Sequence, residues 1–96
     1  MSQPCFDSLI HAPNRLRICA LLSPVGSLEF MALREQLDVS DSVLSKHIKS
    51  LEDAGYVEVN KKSNQGRQRT WLSLSPEGRT AVNGHETALK EIVGET

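Results

Sequence analysis

Ser40-Asp41-Ser42-Val43-Leu44-Ser45-Lys46-His47-Ile48-Lys49-Ser50-Leu51-Glu52-Asp53-Ala54 is the stretch whose pattern organises the rest of the chain. Ser40 is a good N-cap, because its hydroxyl can accept one of the orphan N–H groups of a first helical turn. Leu44, Ile48 and Leu51 recur at i, i+4 and i+7, which is one face of a helix. At about 100° per residue, Ser42, Ser45, Lys46 and Lys49 fall on the opposite side. His47 sits at the edge of the apolar face, where half-buried packing and a phosphate contact are both open. Gly55 follows directly and is placed to end the helix in the left-handed conformation.

Working back toward the N-terminus, Asp38 to Ser42 reads as a short polar turn holding one apolar residue, Val39. Before it, Ser27 is expected to cap a helix with Glu29 in its first turn and Leu28 or Phe30, Leu33 and Leu37 as its apolar stripe. Pro24-Val25-Gly26 separates that helix from an earlier one. The earlier helix starts at Pro13 and carries Leu16, Ile18, Cys19, Leu21 and Leu22. Working forward from Gly55, the period changes to alternation. Tyr56 to Asn60 and Thr70 to Leu74 read as two strands. The polar, basic stretch Lys61 to Arg69 between them reads as a hairpin loop with Gly66 at its tip. Ser75-Pro76-Glu77 then supplies a cap, a first-position proline and a first-turn acid for a last helix. Val82, His85, Leu89 and Ile92 lie near a heptad seam of that helix, widened by Ala81, Ala88 and Val93.

The order is helix, helix, tight turn, helix, strand, basic loop, strand, helix. Two short amphipathic helices joined by a turn of a few residues form a helix-turn-helix. The fold class expected is α+β, mainly α: one winged helix-turn-helix domain over 1–96. The helix-turn-helix spans about 28–54, a two-stranded wing about 56–74, and a C-terminal dimerisation helix about 76–93. A helix that enters the major groove needs small residues for close approach and basic ones for phosphates or guanine. Ser40, Ser42, Ser45, Lys46 and Lys49 meet that demand. On the wing, Lys62, Arg67 and Arg69, with Lys61, suit the backbone or a narrow, electronegative minor groove. The partner so implied is double-stranded DNA.

Bulk properties bound the alternatives. The chain has 96 residues, 39% hydrophobic and 24% charged, with a formal net charge of −1. That is globular composition of single-domain size. Residues 40–70 carry six Lys and Arg against four acids, whereas both flanks carry more acids than bases. The positive charge is therefore gathered on the helix and loop singled out above. The apolar runs are too short to span a bilayer. Met1 to Pro13 has no basic n-region followed by a long apolar one, so a cytoplasmic location and no membrane partner are expected. Cys5 and Cys19 match no zinc spacing; Cys19 falls in an apolar helix and is read as core, and Cys5 as an oxidisable terminal thiol. Trp71 is expected to close the core beside the third helix, with stacking on the wing base or a lysine stem as the other reading. No nucleophile–base or metal–water set assembles, so no enzyme activity, metal or cofactor is expected.

Arg15 to Arg79 resembles the MarR-like winged helix transcriptional regulators, especially the small single-domain members of ArsR size. The text that carries this is Leu33-Arg34-Glu35-Gln36-Leu37, Ser42 to Val57, and Gly66 to Arg79. The resemblance implies a homodimer on a roughly palindromic operator, with the terminal helices in contact. The interface expected is Val82, His85, Leu89 and Ile92. It also implies repression, with room for an unidentified small-molecule effector. Two departures stand out. No cysteine lies in Ser40–Ala54 or the helix before it, where ArsR-type metal sensors often carry one. The helical ends are also shorter than in full-length MarR proteins. Two other readings are a winged helix used for protein contacts without DNA, marked by an apolar or acidic outward face, and a DNA-binding thiol or metal sensor using Cys5 and Cys19.

Overall fold

The fold is taken from a computed structural model that describes residues 3–94. The elements, in order, are α1 Ser8–His11, α2 Pro13–Leu22, β1 Leu28–Glu29, α3 Phe30–Leu37, α4 Asp41–Asp53, β2 Val57–Asn64, β3 Arg67–Leu74 and α5 Pro76–Ile92. The antiparallel sheet has the order β1-β3-β2. Ile18, Leu22, Leu33, Leu44, Leu51 and Leu72 are fully buried and tie α2, α3, α4 and the sheet into one core.

Helix α4 forms as its pattern predicts. The Ser40 hydroxyl accepts the Val43 N–H at 3.2 Å. Leu44, Ile48 and Leu51 are its buried residues. Gly55 takes φ 81°. The N–H of Gly55 reaches the Glu52 carbonyl and that of Tyr56 reaches the Leu51 carbonyl, each at 2.9 Å. This pair of bonds satisfies two of the last carbonyls of the helix.

Two expectations need correction. Ser27 does not cap the second helix of the motif. Leu28 and Glu29 instead pair with Leu72 and Trp71 as β1, and α3 starts at Phe30 with Glu29 at its N-cap and no side-chain cap bond. The wing itself is the β2–β3 hairpin, and β1 adds a third strand to the sheet at its base. The nine-residue loop is also absent. β2 and β3 pair all the way from Val57↔Leu74 to Asn64↔Arg67. Only Gln65 and Gly66 turn, with φ 54° and 77°. A two-residue turn with both φ positive matches the twist of the flanking strands. Residues before Pro13 also take part in the fold. Asp7 accepts the Leu9 and Ile10 N–H groups and starts the single turn of α1. Ile10 is fully buried in the core.

Helix α5 is launched from a tight junction. The Ser75 hydroxyl accepts the Gly78 N–H at 2.9 Å and donates to the Gly55 carbonyl at 2.6 Å. Gly78 lies directly against the Tyr56 carbonyl, where a Cβ would collide with backbone. The end of α4, the start of β2 and the start of α5 are thereby fixed to one another.

Candidate nucleic-acid interface

The outward face of α4 carries Ser42, Ser45, Lys46 and Lys49, all exposed. They differ in how free they are. Lys46 has no ion-pair partner among the described residues. Lys49 donates to Asp53 at 2.9 Å, one helical turn on. That hydrogen bond and the Asp53 charge raise the Lys49 pKa above the ordinary lysine value. Ser40 already uses its hydroxyl oxygen as the helix cap, and it lies 3.2 Å from the Ser42 hydroxyl. Arg34 of α3 lies 3.2 Å from Asp41 and joins the two helices of the motif where α4 begins.

Strand register sorts the wing cations. Side chains alternate across the ribbon. Lys61 follows Val57 and Val59 onto the α4 side. It lines a groove of about 620 Å³ with Ser45, Ile48, Lys49 and Leu72. Lys62 and Arg69, paired across the strands, lie on the other face with Trp71. The Lys62 ammonium sits 6.0 Å above the indole ring. Trp71 therefore does not close the core beside α4; it lies under the Lys62 ammonium. The Arg69 guanidinium bonds both carboxylate oxygens of Glu29 at 3.1 Å. Arg67 is exposed beside the turn. Of the wing residues expected at DNA, Arg67 has no ion-pair partner among the described residues, Lys62 is shared with Trp71, and Arg69 is committed to β1.

His47 is half-buried, and its Nδ1 lies 3.2 Å from a guanidinium nitrogen of Arg15. Burial, then the charges of Arg15 and Lys46, lower its pKa. Arginine can only donate, so His47 Nδ1 accepts and the proton sits on Nε2.

The expected dimer seam is partly consumed within the chain. Val82 is buried in the core and His85 is only 1% exposed. Residues 5–11 cover this side of α5. Leu89 is half-buried, and Ile92, at 65% exposed, remains open with Val93. Cys19 is fully buried, and burial pushes its thiol up to about 11, far from a reactive thiolate. Cys5 is exposed. Among the described residues, no group of three or more His, Cys, Asp or Glu is gathered to hold a metal ion. Nor is any helix among them long and apolar enough to cross a membrane.

Residues 14–93, which hold the helix-turn-helix, the wing and α5, match the model of the winged helix DNA-binding domain. The chain belongs to that family. A curated relative of this winged helix protein, an uncharacterized protein of Methanocaldococcus jannaschii, is 37% identical over 80 residues, 83% of each chain. Among solved structures, a transcriptional regulator homologue from Pyrococcus horikoshii is similar with a TM-score of 0.84 and 27% identity. The match covers 88% of this chain and 84% of that one. NadR, solved in complex with 4-hydroxyphenylacetate, matches with a TM-score of 0.66 and 30% identity over 90% of this chain and 65% of its own. The winged helix regulator resemblance carried by Ser42 to Val57 holds for family and fold. This is a family of DNA-binding regulators, not of enzymes.

Two residues of the winged helix escape a reading of the sequence alone. Lys61 was grouped with the loop, but counting by twos from Val57 puts it on the α4 side once the strand is known to continue. Arg15, at the start of α2, gives no signal, since its contacts are Leu9 and His47, far apart in sequence.

Proposed function

We propose that this winged helix protein is a sequence-specific, dimeric transcriptional regulator that represses by occupying an operator. The observation that carries the reading is the open face of α4. Ser42 and Ser45 keep it low enough for close approach to base edges, and Lys46 is an unpaired cation on it. Its chemistry is serine and lysine, whereas a protein-docking winged helix would show an apolar or acidic face there. Lys61 and Arg67 extend the positive surface along the wing toward an adjoining minor groove or its phosphates.

The dimer contact is the exposed end of α5, Leu89 and Ile92 with Val93, in place of the full seam. An effector, if the regulator takes one, fits between α2 and α5. A cavity of about 290 Å³ lies there, lined by Leu16, Ala20, Val82, His85 and Leu89. NadR, which was solved with a small aromatic acid bound, supports an effector of that size class.

Selection of bound sequences from random duplex DNA tests the reading. Enrichment of a two-fold symmetric site by a dimer is the expected outcome. Recovery of unenriched sequence contradicts sequence specificity, and a monomer by analytical ultracentrifugation at micromolar concentration contradicts the dimer.

A further inference from the structure

The segment before α2 is fastened to α5 by a chain of hydrogen bonds whose protons can be placed. The Cys5 N–H donates to the Gly84 carbonyl at 2.9 Å. Gly84 lets the segment lie flat on the helix, since a Cβ there would come within 3.1 Å of the Gln3 carbonyl oxygen and 3.2 Å of the Cys5 Cβ. The backbone N–H of Asp7 donates to His85 Nδ1 at 2.9 Å. His85 Nε2 lies 3.2 Å from His11 Nδ1. The Phe6 ring closes over both imidazoles, with centroids 4.9 and 4.8 Å away.

A backbone N–H can only donate, so His85 Nδ1 is a lone pair. A neutral His85 then carries its proton on Nε2 and donates it to His11. His11 Nδ1 is therefore also a lone pair. A second proton on His85 would set an N–H against the Asp7 N–H. The docked arrangement has no room for it.

The segment is also tied to the DNA-facing helix. The Leu9 carbonyl accepts from Arg15 Nε at 2.6 Å, and the same guanidinium donates to His47 on α4. We infer that residues 5–9 form a proton-sensitive latch, docked on α5 only while His85 is neutral, and that the docked segment steadies the reading helix through Arg15. Fully buried Ile10 tethers the far end, so the segment loosens about that anchor. Loosening withdraws the Leu9 carbonyl, and Arg15 loses one of the two contacts that place it against His47.

Among the described residues, the groups around His85 are few. Glu86 follows it on α5 and faces solvent. From the docked segment come His11 and Asp7. Cys19 of α2, protonated at neutral pH, and Tyr56, ahead of β2, lie around Asp7. The Asp7 carboxylate is occupied by the Tyr56 hydroxyl, which donates at 2.6 Å, and by the Leu9 and Ile10 N–H groups. That bond and burial push the Tyr56 pKa up to about 12. Burial raises the Asp7 pKa, but the Tyr56 bond and the backbone N–H groups outweigh it and leave it below the ordinary value. Asp7 therefore stays ionised in the range where histidine titrates and favours a proton on His85. Burial, then His11, oppose it and win, holding the His85 pKa below the ordinary histidine value. The released state takes up a proton below a pH of about 6.5 and the docked state does not. Docking is strongest above that pH and weakens as pH falls, by up to about tenfold per pH unit.

Amide hydrogen exchange by NMR, corrected for intrinsic rates, reads the latch without DNA. From pH 7.5 to 5.5, protection at Cys5 and Asp7 should fall by up to about tenfold per unit below pH 6.5, while Leu44 and Leu51 keep theirs. His85→Gln retains an acceptor and a donor but no titration, and its protection should be flat across the range. Protection independent of pH in the wild type, an equal fall in His85→Gln, or a parallel loss at Leu44 overturns the latch. Nitrogen chemical shifts of the wild-type imidazoles need no variant: an Nδ1-protonated His85 at pH 7.5 also overturns it. The coupling to α4 rests on the DNA-binding reading and has its own arm. Affinity for duplex DNA should fall below pH 6.5 more steeply in the wild type than in His85→Gln. Equal pH dependence overturns the coupling alone, whereas no DNA binding at pH 7.5 overturns the DNA reading and leaves the latch standing.

Discussion

Helices α4 and α5 start in the same way, with a serine hydroxyl accepting an N–H three residues on, Val43 for Ser40 and Gly78 for Ser75. Their surroundings then diverge. α4 buries Leu44, Ile48 and Leu51 and leaves its opposite side to solvent. α5 buries Val82 toward the core, and it also buries Gly78 against Tyr56, and Gly84 and His85 under residues 3–11. An apolar stripe tells which side of a helix leaves water. It does not tell whether the neighbour is another part of the chain or a second copy. α4 is consequently the element built to be read from outside, and α5 the one that holds other elements in place.

The largest test of this difference is Gly78→Ala against Ser45→Ala. The first forces a methyl group into the Tyr56 carbonyl and should cost about 3 kcal/mol or more, or prevent folding. The second sits on the open face and should stay within about 0.5 kcal/mol. Urea unfolding measures both, and similar costs would erase the contrast. Next in size is the pair of caps. Ser75 is buried and serves two backbone groups, so Ser75→Ala should lose about 2 kcal/mol, the upper end of the capping range. Ser40 is exposed and serves one, so Ser40→Ala should lose about 1 kcal/mol or less. A reversed order would show that the α5 junction is looser than its contacts indicate. The smallest effect lies in the wing. Arg69→Ala breaks the pairing with Glu29 and should cost roughly 0.5 kcal/mol of stability, the pair being only partly shielded. Arg67→Ala should leave stability unchanged while weakening DNA binding. Identical profiles for the two in unfolding and binding assays would count against the division between a free tip and a braced base.

What could be read from the sequence follows the same line. The faces of α4, the stop at Gly55 and the Ser75-Pro76-Glu77 start were all recoverable, because each rests on contacts within a few residues. β1 was not, because two residues carry no period and Ser27 and Glu29 imitate the start of a helix. The length of the wing was hidden for another reason. Lys61 to Asn64 and Arg67 to Arg69 are polar on both faces, so the backbone ladder and the turn at Gln65-Gly66 hold a strand that no apolar alternation announces. The fate of His85 was the least accessible. Its position on the stripe was visible, but its partners, Asp7 and His11, lie more than 70 residues away in sequence. For the candidate interface, the serine and lysine side of α4 could be read as exposed. Which cations are engaged, with Lys49 bound to Asp53 and, on the wing, Arg69 bound to Glu29, depends on side-chain geometry that no spacing announces.

The central claim is that the open side of α4 and the tip of the wing meet the DNA backbone together. Its most direct test is a salt titration of duplex binding by the wild type and by Lys46→Ala with Arg67→Ala. If each cation neutralises one phosphate, the double variant binds more weakly, and its dependence of log affinity on log salt flattens by about 0.9 per lost contact, nearly 2 in all. An unchanged affinity and an unchanged slope in a variant that folds like the wild type would contradict the account.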